Sequence, residues 1–133
     1  MFYGKVLLLV EAEINAFINK AETKLRNSKI LFENEGYADS VGLAYYSMLL
    51  CAKALLLKKG CNMPKTHKGI IHLFSLKYVH EDEFKYNTYK YLANTQSERE
   101  IADYEAIDHI TQEIANKIIN ESEEFLKENK TFI

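Results

Sequence analysis

A long apolar segment, Ser40 to Lys59, constrains the fold more than any other part of the sequence. Between Val41 and Leu57, the residues that are neither apolar nor aromatic are Gly42, Ser47 and Lys53. A helix that is apolar all round must be covered on several sides. The segment is too short for a membrane span, which needs about 20 mostly apolar residues, and it is rich in strong helix formers. We therefore predict a central helix at about residues 39 to 59, packed inside a helical bundle.

The composition is typical of one soluble domain. The 133 residues suit a single core, and 47% hydrophobic and 27% charged residues are ordinary for a globular protein. The formal net charge of −2 argues against a generally cationic surface that coats nucleic acid, although it allows a local basic patch. We expect one domain over residues 1–133, with 1–10 as a lead-in segment and 129–133 as a polar tail. For residues 1–10, a short strand, a disordered lead-in and an early helical turn all fit.

The cysteines and the N-terminal segment favour a cytoplasmic protein. Cys51 and Cys61 would lie about 15 Å apart along the central helix, whereas a disulfide needs Cα atoms within about 7 Å. We therefore expect two free thiols and a reducing environment. The apolar run near the N-terminus stops at Glu11, which is shorter than a signal peptide requires. No membrane association is expected.

Apolar residues recur at intervals of three and four on both sides of the central helix, as helices require. The first helix is expected from Glu11 to Glu35, with Gly36 in the left-handed conformation of a C-cap. Asp39 or Ser40 is the expected N-cap of the central helix. Further helices are expected at Gly69–Lys77 after a Thr66 cap, from Glu83, and from Ile107 to Leu126. Four long helices and a short one predict an all-α bundle.

Three clusters of residues are candidates for binding or chemistry. The first is the pair Tyr45 and Tyr46 in the central helix, which we consider as part of a nucleotide-binding edge. Adjacent residues of a helix lie about 100° apart, so the two rings are not expected to face one neighbour. Because aromatic rings are usually buried, packing is the more frequent role of such residues.

The second cluster precedes the short helix and contains Lys65, Thr66 and His67. Helix N-termini with nearby cations can bind phosphate, so these three residues are candidate phosphate ligands. The alternative is a capping turn with solvated lysines.

The third cluster contains Arg99, Asp103 and Tyr104, which we consider as candidate catalytic residues. Arg99 and Asp103 are four residues apart and would share a helix face, which allows an ion pair. The alternative is an arginine that binds phosphate with two hydrogen bonds. Tyr104 would lie about 140° from Arg99 in an unbroken helix.

Other site patterns are missing from the sequence. The four histidines have no zinc-site spacing, and neither a glycine-rich phosphate loop nor a GxSxG motif is present. We therefore expect no metal and no cofactor. From the residues alone, we predict a soluble helical bundle, for which an anion-binding edge is one of the alternatives.

Three segments in order resemble the stand-alone HEPN domains of archaea and bacteria: Ala44–Gly60, Pro64–Phe74 and the RxxADY motif at Arg99–Tyr104. The resemblance spans roughly residues 13 to 126. It implies an up-and-down four-helix bundle with one short additional helix, usually a homodimer. It also implies an RNA or nucleotide ligand and frequent pairing with a minimal nucleotidyltransferase in toxin–antitoxin-type modules. A homodimer would also cover an apolar face of the central helix that so small a bundle leaves open.

Many members of that family are metal-independent endoribonucleases that use an arginine followed, four to six residues later, by a histidine. After Arg99, these positions hold Tyr104, Glu105 and Ala106, and His109 is too far along. Without an imidazole there, general acid–base cleavage lacks its usual proton carrier near neutral pH. Whether the chain is an enzyme therefore stays open. One hypothesis is an RNA- or nucleotide-binding subunit with weak ribonuclease activity, and the other is a non-catalytic module that dimerises and docks a nucleotidyltransferase.

Overall fold

The structure is a computed structural model that describes residues 2–104 and 109–133, with side chains for 4–100 and 109–133. These residues contain no strand and form five α-helices: α1 (Phe2–Glu33), α2 (Tyr37–Lys58), α3 (His67–Phe74), α4 (Tyr86–Tyr104) and α5 (Gln112–Lys130). A π-helical turn, Ser75–Val79, continues α3. The predicted all-α fold class is confirmed.

Buried serine hydroxyls join α1 to the central helix α2. Ser28 donates to the carbonyl oxygen of Ser40 at 2.6 Å, and Ser47 donates to that of Ala21 at 2.8 Å. The second pair of residues lies farther than the first from the α1–α2 turn on both helices, so the two helices are antiparallel. A buried hydroxyl needs such a partner, so these bonds also favour one register between the helices.

Contacts of α4 and α5 complete the bundle. Thr88 and Tyr91 of α4 donate to Glu128 and Glu124 of α5, at 2.8 and 2.9 Å, so these two helices are also antiparallel. Ser122 of α5 donates to the carbonyl oxygen of Ala44 at 3.0 Å, which attaches α5 to α2. The consecutive long helices α1 and α2, and likewise α4 and α5, are therefore antiparallel, as an up-and-down bundle requires.

The central helix is buried by its own chain. Thirteen residues of α2 are buried, and the helix begins at Tyr37, two residues before the predicted start. The expectation that this segment is too short for a membrane span was wrong, because α2 has 22 residues and is long and apolar enough to cross one. However, 72% of its most apolar window is buried inside the bundle, as in a core helix. The chain therefore covers α2 without a second copy, which removes one of the reasons for predicting a dimer.

The first helix begins before Glu11, where its apolar period begins. Residues 2–10 form its first turns, which is one of the three alternatives left open for this segment. In this part Val6, Leu7, Leu8 and Leu9 are 43%, 58%, 66% and 70% exposed. The turns extend beyond the partner helix, so their apolar residues have little to pack against.

The turn between α1 and α2 differs from the prediction in two details. The left-handed residue is Glu35, with φ of 65°, whereas Gly36 has φ of −84°. The amide of Gly36 instead donates to the carbonyl oxygen of Leu31 at 2.8 Å. Gly36 is thus the residue after the left-handed one, and its backbone lies close to the end of the preceding helix. Gly36 is also the N-cap of α2, so neither Asp39 nor Ser40 has that role.

The C-terminal residues are packed, although they were expected to be a polar tail. Asn129 lies within α5 and is fully buried. The ring of Phe132 lies 5.7 Å from Tyr78 and 5.9 Å from Phe84. Cys51 and Cys61 are free thiols, as predicted.

Candidate functional site

An open cleft of about 480 Å³ lies between α2, the start of α3 and α4. Its lining residues are Tyr45, Tyr46, Thr66, His67, Lys68, Gln96, Arg99 and Glu100. Side chains that are distant in the sequence meet here because the segment after α2 returns along the bundle before α3 starts. The hydroxyl of Tyr45 lies beside His67 at the start of α3, while that of Tyr78 donates to the carbonyl oxygen of Leu55 near the end of α2.

Arg99 lies over both tyrosine rings of the cleft. Its guanidinium carbon is 5.0 Å from the ring centroid of Tyr45 and 5.0 Å from that of Tyr46. The expectation that adjacent tyrosines cannot face one neighbour was therefore wrong. The two rings meet edge to face with centroids 5.6 Å apart, and Arg99 approaches from α4 at a point that both can reach. Cations are attracted to aromatic faces, so this contact orients the guanidinium.

Tyr45 and His67 share a hydrogen bond at the base of the cleft. The hydroxyl oxygen of Tyr45 and Nδ1 of His67 are 3.2 Å apart. Burial raises the pKa of Tyr45 to about 12, despite the opposing effect of Arg99, so the phenol stays protonated at neutral pH. The His67 ring also packs against Tyr46, with centroids 5.6 Å apart. One imidazole is thereby held in a defined orientation.

The surroundings of His67 favour the neutral form of its imidazole. Partial burial lowers its pKa below the usual 6.5, and the cations Lys53 and Arg99 lower it further. Each effect disfavours the charged form. A bound anion would act in the opposite direction and favour the imidazolium.

The turn before α3 fixes the position of His67. The Thr66 hydroxyl accepts a hydrogen bond from the Gly69 amide at 3.0 Å, which confirms Thr66 as the N-cap. A Cβ atom on Gly69 would lie 2.9 Å from that hydroxyl oxygen and 3.0 Å from Cβ of Pro64, so glycine permits the close approach. Lys68 forms an ion pair with Glu100 of α4 at 3.6 Å.

The structure brings together five of the predicted site residues, Tyr45, Tyr46, Thr66, His67 and Arg99. Lys65 is exposed and is not part of the cleft lining. The side chains of Asp103 and Tyr104 lie outside the described residues, so their predicted role stays a prediction.

Sequence reasoning missed Lys68, Gln96 and Glu100. A signal existed for two of them, because Gln96, Arg99 and Glu100 are spaced by three and four and so share a helix face. Lys68 belongs to the cluster before the short helix but was not among the predicted ligands.

The arrangement suits an anionic, aromatic ligand. A guanidinium can bind a phosphate with two hydrogen bonds, and the partly exposed ring of Tyr46 can stack on a nucleobase. Within the described residues, no group of three or more His, Cys, Asp or Glu is placed to hold a metal ion.

Comparison with known proteins agrees with this fold. The family model of the HEPN domain matches residues 14–131. A Methanocaldococcus jannaschii protein named "Putative toxin MJ0142" is 33% identical over 95% of this chain and 85% of its own length. A second protein of that organism, "Putative toxin MJ0605", is 42% identical over 88% of this chain and 86% of its own. A "UPF0332 protein" of Archaeoglobus fulgidus is 31% identical over 91% of this chain and 95% of its own length. With the family model covering most of the sequence, the chain belongs to the HEPN family.

Proposed function

We propose that this chain is the HEPN subunit of a toxin–antitoxin-like module and that its cleft binds RNA or nucleotides through Arg99. The observation that carries the proposal is the guanidinium of Arg99, 5.0 Å from both tyrosine rings and inside an open cleft. Two relatives named as toxins support the assignment to such a module. The partner that the family resemblance implies is a minimal nucleotidyltransferase.

The chemistry of the cleft favours nucleic acid over a simple anion. Arg99 supplies a charge that phosphate oxygens can share, and Tyr46 is half-buried, so part of its ring is open to a base. Glu100 is paired with Lys68, which reduces repulsion of an incoming phosphate. Weak, metal-independent RNA cleavage, as in many family members, is part of the proposal.

Replacing Arg99 by alanine should weaken RNA binding by roughly 10- to 100-fold, because a charge-assisted hydrogen bond contributes about 1.5 to 3 kcal/mol. The measurement is fluorescence anisotropy of a labelled single-stranded RNA titrated with purified protein. Arg26→Ala is the matched control, since Arg26 is the other arginine of the chain and is exposed on α1. Equal affinities of all three proteins, or no binding by the wild type, would refute the proposed function.

The exposed apolar residues Val6 to Leu9 favour a second candidate function, that of a dimeric docking module. Apolar patches of this kind often mark protein interfaces, and twofold dimers are the commonest small assemblies. We expect a homodimer by multi-angle light scattering at micromolar concentration, and a monomer when Leu8 and Leu9 are both changed to lysine. A wild-type mass of one chain, 15.4 kDa, would contradict the dimer.

A further inference from the structure

The cleft contains an imidazole, although no histidine lies four to six residues after Arg99. His67 reaches the cleft from the start of α3, and its ring centroid is 5.8 Å from Tyr45 and 5.6 Å from Tyr46. Arg99 contacts the same two rings from α4. A proton carrier and a phosphate-binding cation therefore border one cavity, although they come from different parts of the chain.

The hydrogen bond with Tyr45 uses Nδ1 of His67 and leaves Nε2 for a ligand. Either atom of this pair can donate, and the role of a base requires the tautomer in which Nδ1–H donates to the Tyr45 oxygen, because Nε2 then carries the lone pair that accepts a proton. Tyr45 is fully buried, so the ring that orients His67 is itself fixed by packing. A base must be held in this way to reach one proton of a bound substrate.

Burial and the charges around His67 favour its neutral form. Burial and the cations Lys53 and Arg99 lower its pKa below the usual 6.5, which favours the free base. The titratable or charged groups near the ring, by element, are Tyr45, Tyr46 and Lys53 of α2, Lys68 of α3, and Arg99 and Glu100 of α4. Glu100, the carboxylate in this set, is paired with Lys68.

We propose that His67 is the general base with which this cleft cleaves RNA, while Arg99 holds the scissile phosphate. The inference rests on the proposed function and deepens it. Nε2 of His67 accepts the proton of a ribose 2′-hydroxyl as that oxygen forms a bond to phosphorus. The bond from phosphorus to the 5′ oxygen breaks, the leaving oxygen takes a proton from water, and His67 returns its proton to the solvent. The products are a 2′,3′-cyclic phosphate and a 5′-hydroxyl end.

The test compares cleavage with binding for the wild type, His67→Gln and His72→Gln. His72 is an exposed histidine on the same helix and does not line the cleft. The variant His72→Gln therefore controls for contaminating nuclease and for effects of replacing a histidine outside the cleft. The substrate is a labelled single-stranded RNA, and the matched probe carries 2′-O-methyl groups, so it binds without being cleaved. We expect His67→Gln to slow cleavage by about 100-fold or more and to bind the probe within about threefold of wild type at pH 8.

The pH profile of the wild type gives a second readout that needs no variant. Below the pKa of His67, cleavage of bound RNA should slow about tenfold per pH unit, whereas binding of the probe should strengthen because the imidazolium adds a cation. Equal cleavage by His67→Gln and wild type, or a rate independent of pH between 8 and 4.5, would overturn the assignment. Binding of the probe without any RNA cleavage would also overturn it, together with the cleavage part of the proposed function, and would leave the proposed RNA binding intact. Absence of binding would refute the proposed function as a whole.

Discussion

Replacing Phe125 with alanine is expected to lower the free energy of unfolding by about 3 to 5 kcal/mol. Phe125 of α5 is fully buried, and its ring centroid lies 5.0 Å from Phe84 and 5.9 Å from Phe74. The substitution removes apolar surface from the core and leaves a cavity that rigid aromatic neighbours fill poorly. The measurement is urea denaturation followed by circular dichroism.

The matched control for this core substitution is Tyr86→Ala, at an aromatic residue that is 60% exposed at the start of α4. Surface changes of this type usually alter the free energy of unfolding by about 0.5 kcal/mol or less. For a chain of this size, the loss at Phe125 corresponds to a fall in melting temperature of about 10 to 20 °C. A loss below about 1 kcal/mol would mean that the aromatic cluster does not contribute as its burial indicates.

Apolar periodicity predicted the parts of the fold that packing determines. The segment Val41–Leu57 is mostly buried in α2, and Ile14, Ile18, Ala21 and Leu25 lie on the buried face of α1, as their spacing indicated. In each helix, the spacing of the apolar residues determines which face is buried. The helix type and the position of the core therefore followed from the sequence.

Helix ends were less predictable because several local solutions have similar free energies. Gly36 was expected in the left-handed position, yet Glu35 occupies it and Gly36 approaches Leu31 instead. Residues 2–10 form helix although their apolar residues are largely exposed, so burial gave no signal for them. Periodicity likewise gives no information on the π-helical turn Ser75–Val79, because this turn adds a residue to the helical repeat.

The candidate site could be predicted only in parts. Each of Tyr45, His67 and Arg99 stood out by residue type and position, but nothing in the sequence placed His67 beside Arg99. Their proximity depends on the return of the chain between α2 and α3, which is a tertiary feature. A search for a histidine shortly after Arg99 therefore found none, whereas the cleft holds one from an earlier segment.

Replacing Arg99 with lysine should separate the contribution of charge from that of shape. Lysine keeps the positive charge but loses the planar, forked donor group that lies over Tyr45 and Tyr46. We expect RNA affinity to fall by about tenfold or more, because bidentate binding of phosphate and the ordered stacking are both lost. The measurement is anisotropy across a series of salt concentrations.

The salt dependence distinguishes this variant from Arg99→Ala. Each phosphate neutralised on a single strand contributes about 0.7 to the slope of log affinity against log salt. Arg99→Lys should bind RNA more weakly than the wild type but with the same salt slope. Arg99→Ala should bind more weakly and also show a salt slope that is smaller by about 0.7. Arg26→Lys, at the exposed arginine of α1, should change neither quantity. If Arg99→Lys binds as tightly as the wild type, charge alone is sufficient, and the orientation of the guanidinium over the tyrosine pair has no role in recognition.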